Sequence, residues 1–278
     1  MPPIPTRTFD RALAALLLLA ATAAVAKPPP DEPDNLLNDR LTLQAGLVSS
    51  SNQTTVRYDA SAGTPGTVLD GEKDLGLPSR KLIGKAELMF RMEQRHRIHI
   101  ADYYLPLDRR ATTLLKKTVN FGNTTYNVND VVQSELQMRL LAINYTYSFV
   151  KNDRVELGAS LGFDVIGFEA AATVVARLRT EREDRSAPAP LGGLDGTVRI
   201  SSHWYAEARA QYLKADVQNV HGTLETFEAN ILYRTTPNVT FGIGYSGFKV
   251  DVDSLKVGDS GQFVLRSTGP QLFARVGF

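Results

Sequence analysis

The feature that most constrains the fold is a recurring alternation of apolar and polar residues at period two. From Lys81 to Glu93, Leu82, Gly84, Ala86, Leu88, Phe90 and Met92 share one face, while Lys81, Lys85, Glu87, Arg91 and Glu93 share the other. Successive side chains of an extended strand point to opposite sides of a sheet, so the pattern specifies a strand with one apolar and one charged surface. It returns with Leu41, Leu43, Ala45 and Leu47, with Val155, Leu157, Ala159, Leu161 and Phe163, and with Leu194, Gly196, Val198 and Ile200. Three cleaner repeats follow: Trp204, Ala206, Ala208, Ala210 and Tyr212; Phe227, Ala229, Ile231 and Tyr233; Val239, Phe241, Ile243 and Tyr245. A tilted strand needs about nine to eleven residues to cross a bilayer, and these stretches run to that length.

Two stretches change phase. Ile98 and Ile100 give way to Tyr103 and Leu105 across Asp102, and Leu136, Met138 and Leu140 give way to Leu141, Ile143, Tyr145 and Tyr147. A bulge in each would restore the facing. With the C-terminal stretch the strands number about ten, and a count of eight stays open. Connections alternate in length: Glu93 to Arg97, Val150 to Arg154, Ser201 to His203 and Thr235 to Asn238 are short, whereas 51–79, 106–130 and 167–190 are long, with 216–222 and 251–261 between. Tight turns at one end, long loops at the other and an even count place both termini on the periplasmic side of a barrel. The expected fold is all-β, an antiparallel up-and-down transmembrane β-barrel of about ten strands.

The opening segment supplies an address. Arg7 and Arg11 precede the uncharged run Ala12 to Ala24, and Ala24-Val25-Ala26 offers the small residues of a cleavage site, so 1–26 reads as a signal peptide. Lys27-Pro28-Pro29-Pro30-Asp31-Glu32-Pro33 cannot continue a helix, which makes 27–39 a flexible periplasmic lead-in and 40–278 the barrel. The chain has no cysteine, which excludes disulfides and thiolate zinc sites. Its net charge of +1 falls to zero when Arg7, Asp10 and Arg11 are removed, so no nucleic acid is expected as a partner. A mean hydropathy of -0.17 excludes a bundle of membrane helices.

The chain ends Pro270-Gln271-Leu272-Phe273-Ala274-Arg275-Val276-Gly277-Phe278, with Leu272, Ala274, Val276 and Phe278 on one face. This resembles the C-terminal signature of bacterial outer-membrane β-barrel proteins, and the architecture of 40–278 is similar to their small OmpA-like and opacity-type members. The resemblance implies that these four residues are the signal read by the barrel-insertion machinery of a Gram-negative cell. It also implies export through the inner membrane and residence in the outer membrane, among its lipid and lipopolysaccharide.

In such a barrel the charged faces point inward. Lys85, Glu87, Arg91, Glu93, Glu135, Arg139, Glu156, Asp164, Asp195, Arg199, Glu207, Arg209, Glu228, Arg234 and Arg275 are expected to form an ion-pair network that fills the lumen and leaves no wide channel. Trp204, Tyr145, Tyr147, Phe149, Tyr233 and Phe278 fit an aromatic girdle near the turn ends.

Chemistry is sparse. Gly242-Ile243-Gly244-Tyr245-Ser246-Gly247 has dinucleotide-loop spacing, but a strand and not a helix follows it. Asp251, Asp253 and Asp259 lack the spacing of a calcium loop, and the N-x-S/T triplets at Asn52, Asn123, Asn144 and Asn238 read as chance. Arg109, Arg110, Lys116, Lys117, Arg177 and Arg179 are expected to contact lipopolysaccharide phosphates, because guanidinium groups grip phosphate through two bonds. The functional expectation is a monomeric, non-enzymatic barrel with a structural, adhesive or surface-binding role, and no cofactor or metal. The alternatives are a narrow channel for small solutes and a rim enzyme acting on lipid A or peptides, with His221 beside Asp216 and Glu225.

Overall fold

The computed structural model describes residues 35–60, 65–106, 111–121, 123–174, 179–217, 220–256 and 259–278. The expected signal peptide and most of the expected lead-in lie outside them, as do Arg109, Arg110 and Arg177. One short 3-10 turn, η1 (Leu36–Asn38), precedes the strands β1 (Leu41–Tyr58), β2 (Leu69–Asp70), β3 (Arg80–Glu93), β4 (His96–Pro106), β5 (Ala111–Leu114), β6 (Val119–Phe121) and β7 (Thr124–Tyr126). Then come β8 (Val131–Lys151), β9 (Val155–Val174), β10 (Arg179–Arg199), β11 (Trp204–Val217), β12 (Val220–Arg234), β13 (Val239–Lys256) and β14 (Asp259–Gly277).

Ten of these strands form a closed antiparallel barrel in the order β1, β3, β4, β8 to β14, and β14 returns to β1. The closing seam runs from Thr42 opposite Gly277 to Tyr58 opposite Gly261. Phe278 fastens the end of the seam near both ends of the barrel chain, the periplasmic end in the expected orientation: its carbonyl accepts from the amides of Arg40 and Leu41 at 2.6 and 3.1 Å, and its amide donates to Leu41 O at 2.9 Å. Small accessory strands sit at the other mouth: β2 on β1, β5 on β8, and the β6–β7 hairpin.

The alternation is realised as a lipid face and a lumen face. Leu82, Leu161, Leu194, Ile243 and Leu272 are each about 60% or more exposed on the outside, while Lys85, Arg91, Glu156 and Arg234 are buried inside. A buried leucine is ordinary; an exposed row of them around a closed cylinder needs an apolar solvent. The outward apolar stripe ends at Arg80 on β3, Lys214 on β11, Glu225 on β12, Lys249 on β13 and Arg266 on β14. Aromatic residues mark its periplasmic border, where Trp204 and Tyr233 pack 4.9 Å apart and His96 bonds the Tyr145 hydroxyl at 2.6 Å.

The two expected bulges are absent, and this is a correction. Pairing runs without a shift from His96 opposite Tyr147 to Pro106 opposite Gln137, and the register shifts fall instead near the periplasmic turns, at Arg91/Glu93 and Ser148/Val150. What inverts is the environment. Above the lipid band the outside is water, so Asp102 and Arg139 stand outward while Ala101 and Leu140 turn into the lumen. Arg139, expected in the lumen network, is therefore on the outer surface. Several expected long loops are also strand: β9 and β10 pair as far as Val174 opposite Arg179, well above the membrane.

One seam of the wall is incomplete. Among the described residues β10 pairs with β11 only from Gly192, opposite Tyr212, to Arg199, opposite Tyr205. The β9–β10 ladder passes unbroken through Pro188 and Pro190, so the N–H groups that these prolines lack belong to the edge facing β11. Without those donors the β10–β11 ladder stops.

Candidate functional site

The interior of the barrel is the most differentiated part of the molecule, and it is built in layers along the axis. The periplasmic mouth is stopped by η1. Leu36 and Leu37 are buried, and Leu36 packs with Tyr205, Leu232 and Phe273. Polar bonds tie this turn to several strands: Leu36 N donates to the Tyr205 hydroxyl at 3.4 Å, Lys151 Nζ to Leu37 O at 2.7 Å, Asn35 Nδ2 to Asp153 O at 3.0 Å and Arg91 Nε to Asp39 O at 3.2 Å. Arg234 clasps the Asp39 carboxylate through both terminal nitrogens at 2.9 and 3.0 Å. Residues 35–39, expected as the end of a flexible lead-in, are thus a packed stopper.

Above it lies an ionic layer. Arg91 grips Glu156 through two bonds of 2.8 and 2.9 Å, and the same carboxylate receives Ser148 Oγ at 2.5 Å and lies 3.3 Å from Arg97 Nε. Arg97 continues to Asp195 at 2.8 Å. Lys85 binds Glu228 and lies 3.7 Å from Glu87, which also receives Arg209 at 2.9 Å and faces His99 Nδ1 at 3.0 Å. Arg275 bonds Glu207 at 3.0 and 3.1 Å and Gln44 Oε1 at 2.7 Å. Each ion removed from water costs several kcal/mol unless it is paired, so alternation of cation and anion is what makes this layer stable. About 30 Å³ of space is left between Arg91, Arg97, His99 and Asp195, room for roughly two waters.

Of the residues expected in this network, Lys85, Glu87, Arg91, Glu156, Asp195, Glu207, Arg209, Glu228, Arg234 and Arg275 meet partners in the lumen. Arg139 instead pairs with Asp102 outside, at 2.7 Å. Arg199 stays at the periplasmic rim, where Nε donates to Ser201 O at 3.3 Å, and Glu93 is exposed at its turn. The side chains of Glu135 and Asp164 lie outside the described ones. Sequence reasoning missed Arg97, His99 and Asp39. The first two alternate with Ile98 and Ile100 and were legible by parity; Asp39 was hidden because it precedes the first strand.

The third layer is apolar. Val48, Ile83, Leu140, Leu191, Leu213, Leu224, Phe248, Val250 and Leu265 close together in the outer half of the lumen, joined by Leu77 from the loop after β2. A cap follows, in which Leu69, Leu115, Val119 and Tyr126 pack with Leu75 and Phe121. Its polar groups are unevenly placed. Lys73 bonds Asp70 at 2.8 Å and lowers that carboxyl below its usual range, whereas burial raises Glu72, whose Oε2 accepts from Thr54 N at 3.0 Å. Lys116 is exposed on the cap, and Lys117 pairs with Asp74 at 2.9 Å.

On the outside, above the lipid band, His221 stands opposite Asp216 on β11 and opposite Asp253 on β13, with Glu225 two strand repeats further down. Asp251 bonds Lys249 at 3.3 Å. The side chains of Arg179 and Asp259 lie outside the described ones. Gly242 and Gly244, from the apparent dinucleotide motif, face the lumen of β13; a Cβ at Gly242 would overlap the Phe273 ring.

No protein-family model matches the chain, and no curated protein matches it in sequence. Among solved structures it is similar to the outer membrane protease OmpT of Escherichia coli, at 12% identity and a TM-score of 0.52, covering 92% of this chain and 100% of that one. It is also aligned with Neisserial surface protein A, at 12% identity and TM-score 0.31 over 86% and 97% of the two chains, and with the attachment invasion locus protein Ail of Yersinia pestis, at 8% and 0.32 over 84% and 98%. At such identities the likeness to OmpT concerns the fold alone. The resemblance to bacterial outer-membrane β-barrel proteins holds, and so does the barrel of about ten strands.

Proposed function

We propose that this outer-membrane barrel passes no solute and works through the surface it presents outside the cell, in a structural, adhesive or surface-binding role. The observation that carries the reading is the serial closure of the lumen: the η1 stopper, the paired ions around Glu87 and Glu156, the apolar layer around Leu140 and Phe248, and the cap. A solute would have to displace all four. The extended β8, β9 and β10 supply a wall above the membrane on which a partner can be met.

The test is conductance. Purified protein in a planar bilayer is expected to leave the current at the bare-bilayer level, whereas discrete steps of reproducible size would replace this reading with the narrow channel. An enzymatic role is addressed separately. Overproduction is expected to leave lipid A and peptide substrates intact, and any hydrolysis abolished by His221→Ala would establish a rim enzyme instead.

Export and assembly belong to the same proposal. Cleavage after Ala26 gives a mature protein that begins at Lys27, which N-terminal sequencing of membrane fractions reads directly. Leu272, Ala274 and Val276 lie on the outward face of the last strand and Phe278 follows directly after it, as an insertion signal would require. Monomeric behaviour is part of the reading.

A further inference from the structure

We propose that the outward face of the seam β13–β14–β1–β3 carries a binding site for the phosphate of an outer-leaflet glycolipid, the lipid A portion of lipopolysaccharide, with Arg80, Arg266 and Lys249 as its ligands. The site differs from the loop and cap residues expected from sequence. It emerges only when the register is known.

Arg266 on β14 lies opposite Lys249 on β13 and opposite Gln53 on β1, and Arg80 on β3 lies opposite Ser51, two positions along the same strand. Residues directly opposite in an antiparallel pair point to the same face. That face is the outside, because Leu265 and Ser267 beside Arg266, and Ile83 near Arg80, are buried in the lumen while both arginines are exposed. Strand spacing and rise put Arg80 and Arg266 about 12 Å apart, close enough for two long side chains to converge over Ser51 and Gln53.

Their height selects the ligand. Arg80 follows directly on the lipid-facing run from Leu82 to Met92. Lys249 stands two strand repeats above Tyr245, whose hydroxyl donates to Thr268 Oγ1 at 3.3 Å just below Arg266. These cations therefore flank the upper edge of the hydrocarbon, the depth at which outer-leaflet phosphates lie, and they project sideways into lipid and not upward into water.

Their pairing selects its charge. Lys249 shares its charge with Asp251 at 3.3 Å. Arg80 and Arg266 have no ion pair or side-chain hydrogen bond among the described residues. A lysine directly opposite an arginine on one face is unfavourable by itself and becomes favourable when an anion bridges the two. Guanidinium groups match the tetrahedral oxygens of phosphate with paired donors, and two of them flanking an ammonium make a site for a dianion.

The inference rests on the lipid exposure of the outer face and not on the closed lumen, so a conducting barrel that still bound lipid A would end the functional reading above and leave this one standing. The experiment uses full-length protein, purified and delipidated in detergent, and follows lipid A addition by native mass spectrometry. Wild type is expected to bind bisphosphorylated lipid A, and Arg80→Gln/Arg266→Gln to bind it at least about tenfold more weakly. The cap variant Lys73→Gln, which removes an exposed cation outside the three proposed ligands, should bind as wild type does. Dephosphorylated lipid A should bind wild type about as poorly as the phosphorylated form binds the double variant. Equal binding of lipid A by wild type and the arginine variant, or indifference to the phosphate groups, would overturn the assignment. Uptake of inorganic phosphate with the same affinity would overturn the commitment to lipid. Heat-modifiable migration verifies folding; if the glutamine variant fails that check, Arg80→Lys/Arg266→Lys keeps the charge, loses the planar fork and is expected to bind several-fold more weakly.

Discussion

Glu156 shows how much can depend on one side chain in this lumen. It is 1% exposed and holds Arg91, Arg97 and Ser148 at once. Removing its charge leaves the buried Arg91 guanidinium without a carboxylate and Arg97 with Asp195 alone, and breaking a buried pair costs about 3–5 kcal/mol. Glu156→Gln should therefore lower the unfolding free energy in urea titrations of the detergent-folded protein by about that amount. The comparison is Arg139→Ala, which removes a pair whose side chains are 30% and 19% exposed and should cost less than about 1 kcal/mol. Equal losses for the two variants would mean that water fills the lumen. Alternation alone identified most of the network, because a charge on the lumen face of a lipid-bounded strand has only other charges to meet. It misplaced Arg139 because parity was referred to the wrong solvent.

That error is instructive at the level of the element. In β8 the same regular strand reads apolar-out from Phe149 to Leu141 and polar-out at Arg139, with Leu140 now inside. A one-residue bulge and a change of surroundings produce the same string of letters, and only the pairing of β8 with both neighbours distinguishes them. The cap was illegible for a different reason: its packing joins Leu69 to Leu115, Val119 and Tyr126, which are distant in sequence and carry no periodic signal.

The cap also contains a pH response whose sign can be worked out. Burial raises Glu72 above its usual value of 4.5, so its ionised form is a burden that sets in as pH rises from 4.5 through the raised value. Asp70 has the opposite sign. Its carboxyl is held below 3.8, so its contribution is complete above 3.8 and is lost only when pH falls through the lowered value. Between neutrality and about pH 5 the change therefore belongs to Glu72. After correction for intrinsic rates, the amides of Gly71 and Leu77, which bond Thr54 O and Gly71 O, should exchange more slowly at about pH 5 than at about pH 7. Glu72→Gln should remove the difference; a variant that keeps it would assign the effect to another group.

Considered whole, the molecule solves two solvation problems with one alternation. Lipid outside demands an apolar shell, and the leftover positions must then satisfy one another inside. Where the outer surface meets water the demand reverses, and the lumen becomes an apolar core like that of a soluble protein. On the proposed reading closure is consequently not the work of any single element, which is where it differs from a channel with a removable stopper. The stopper is the easiest part to disturb, since Leu36 and Leu37 come from a turn of three residues. Leu36→Asn/Leu37→Asn should loosen it, because unpaired amides do not stay buried among Tyr205, Leu232 and Phe273. If the seals act in series, this variant remains silent in planar bilayers although its thermal stability falls. Widening the apolar layer as well, with Leu140→Ala/Phe248→Ala, should give the first measurable leak, because water must cross both regions. Conductance in the stopper variant alone would locate the barrier at the periplasmic mouth and leave the outer layers a purely structural role.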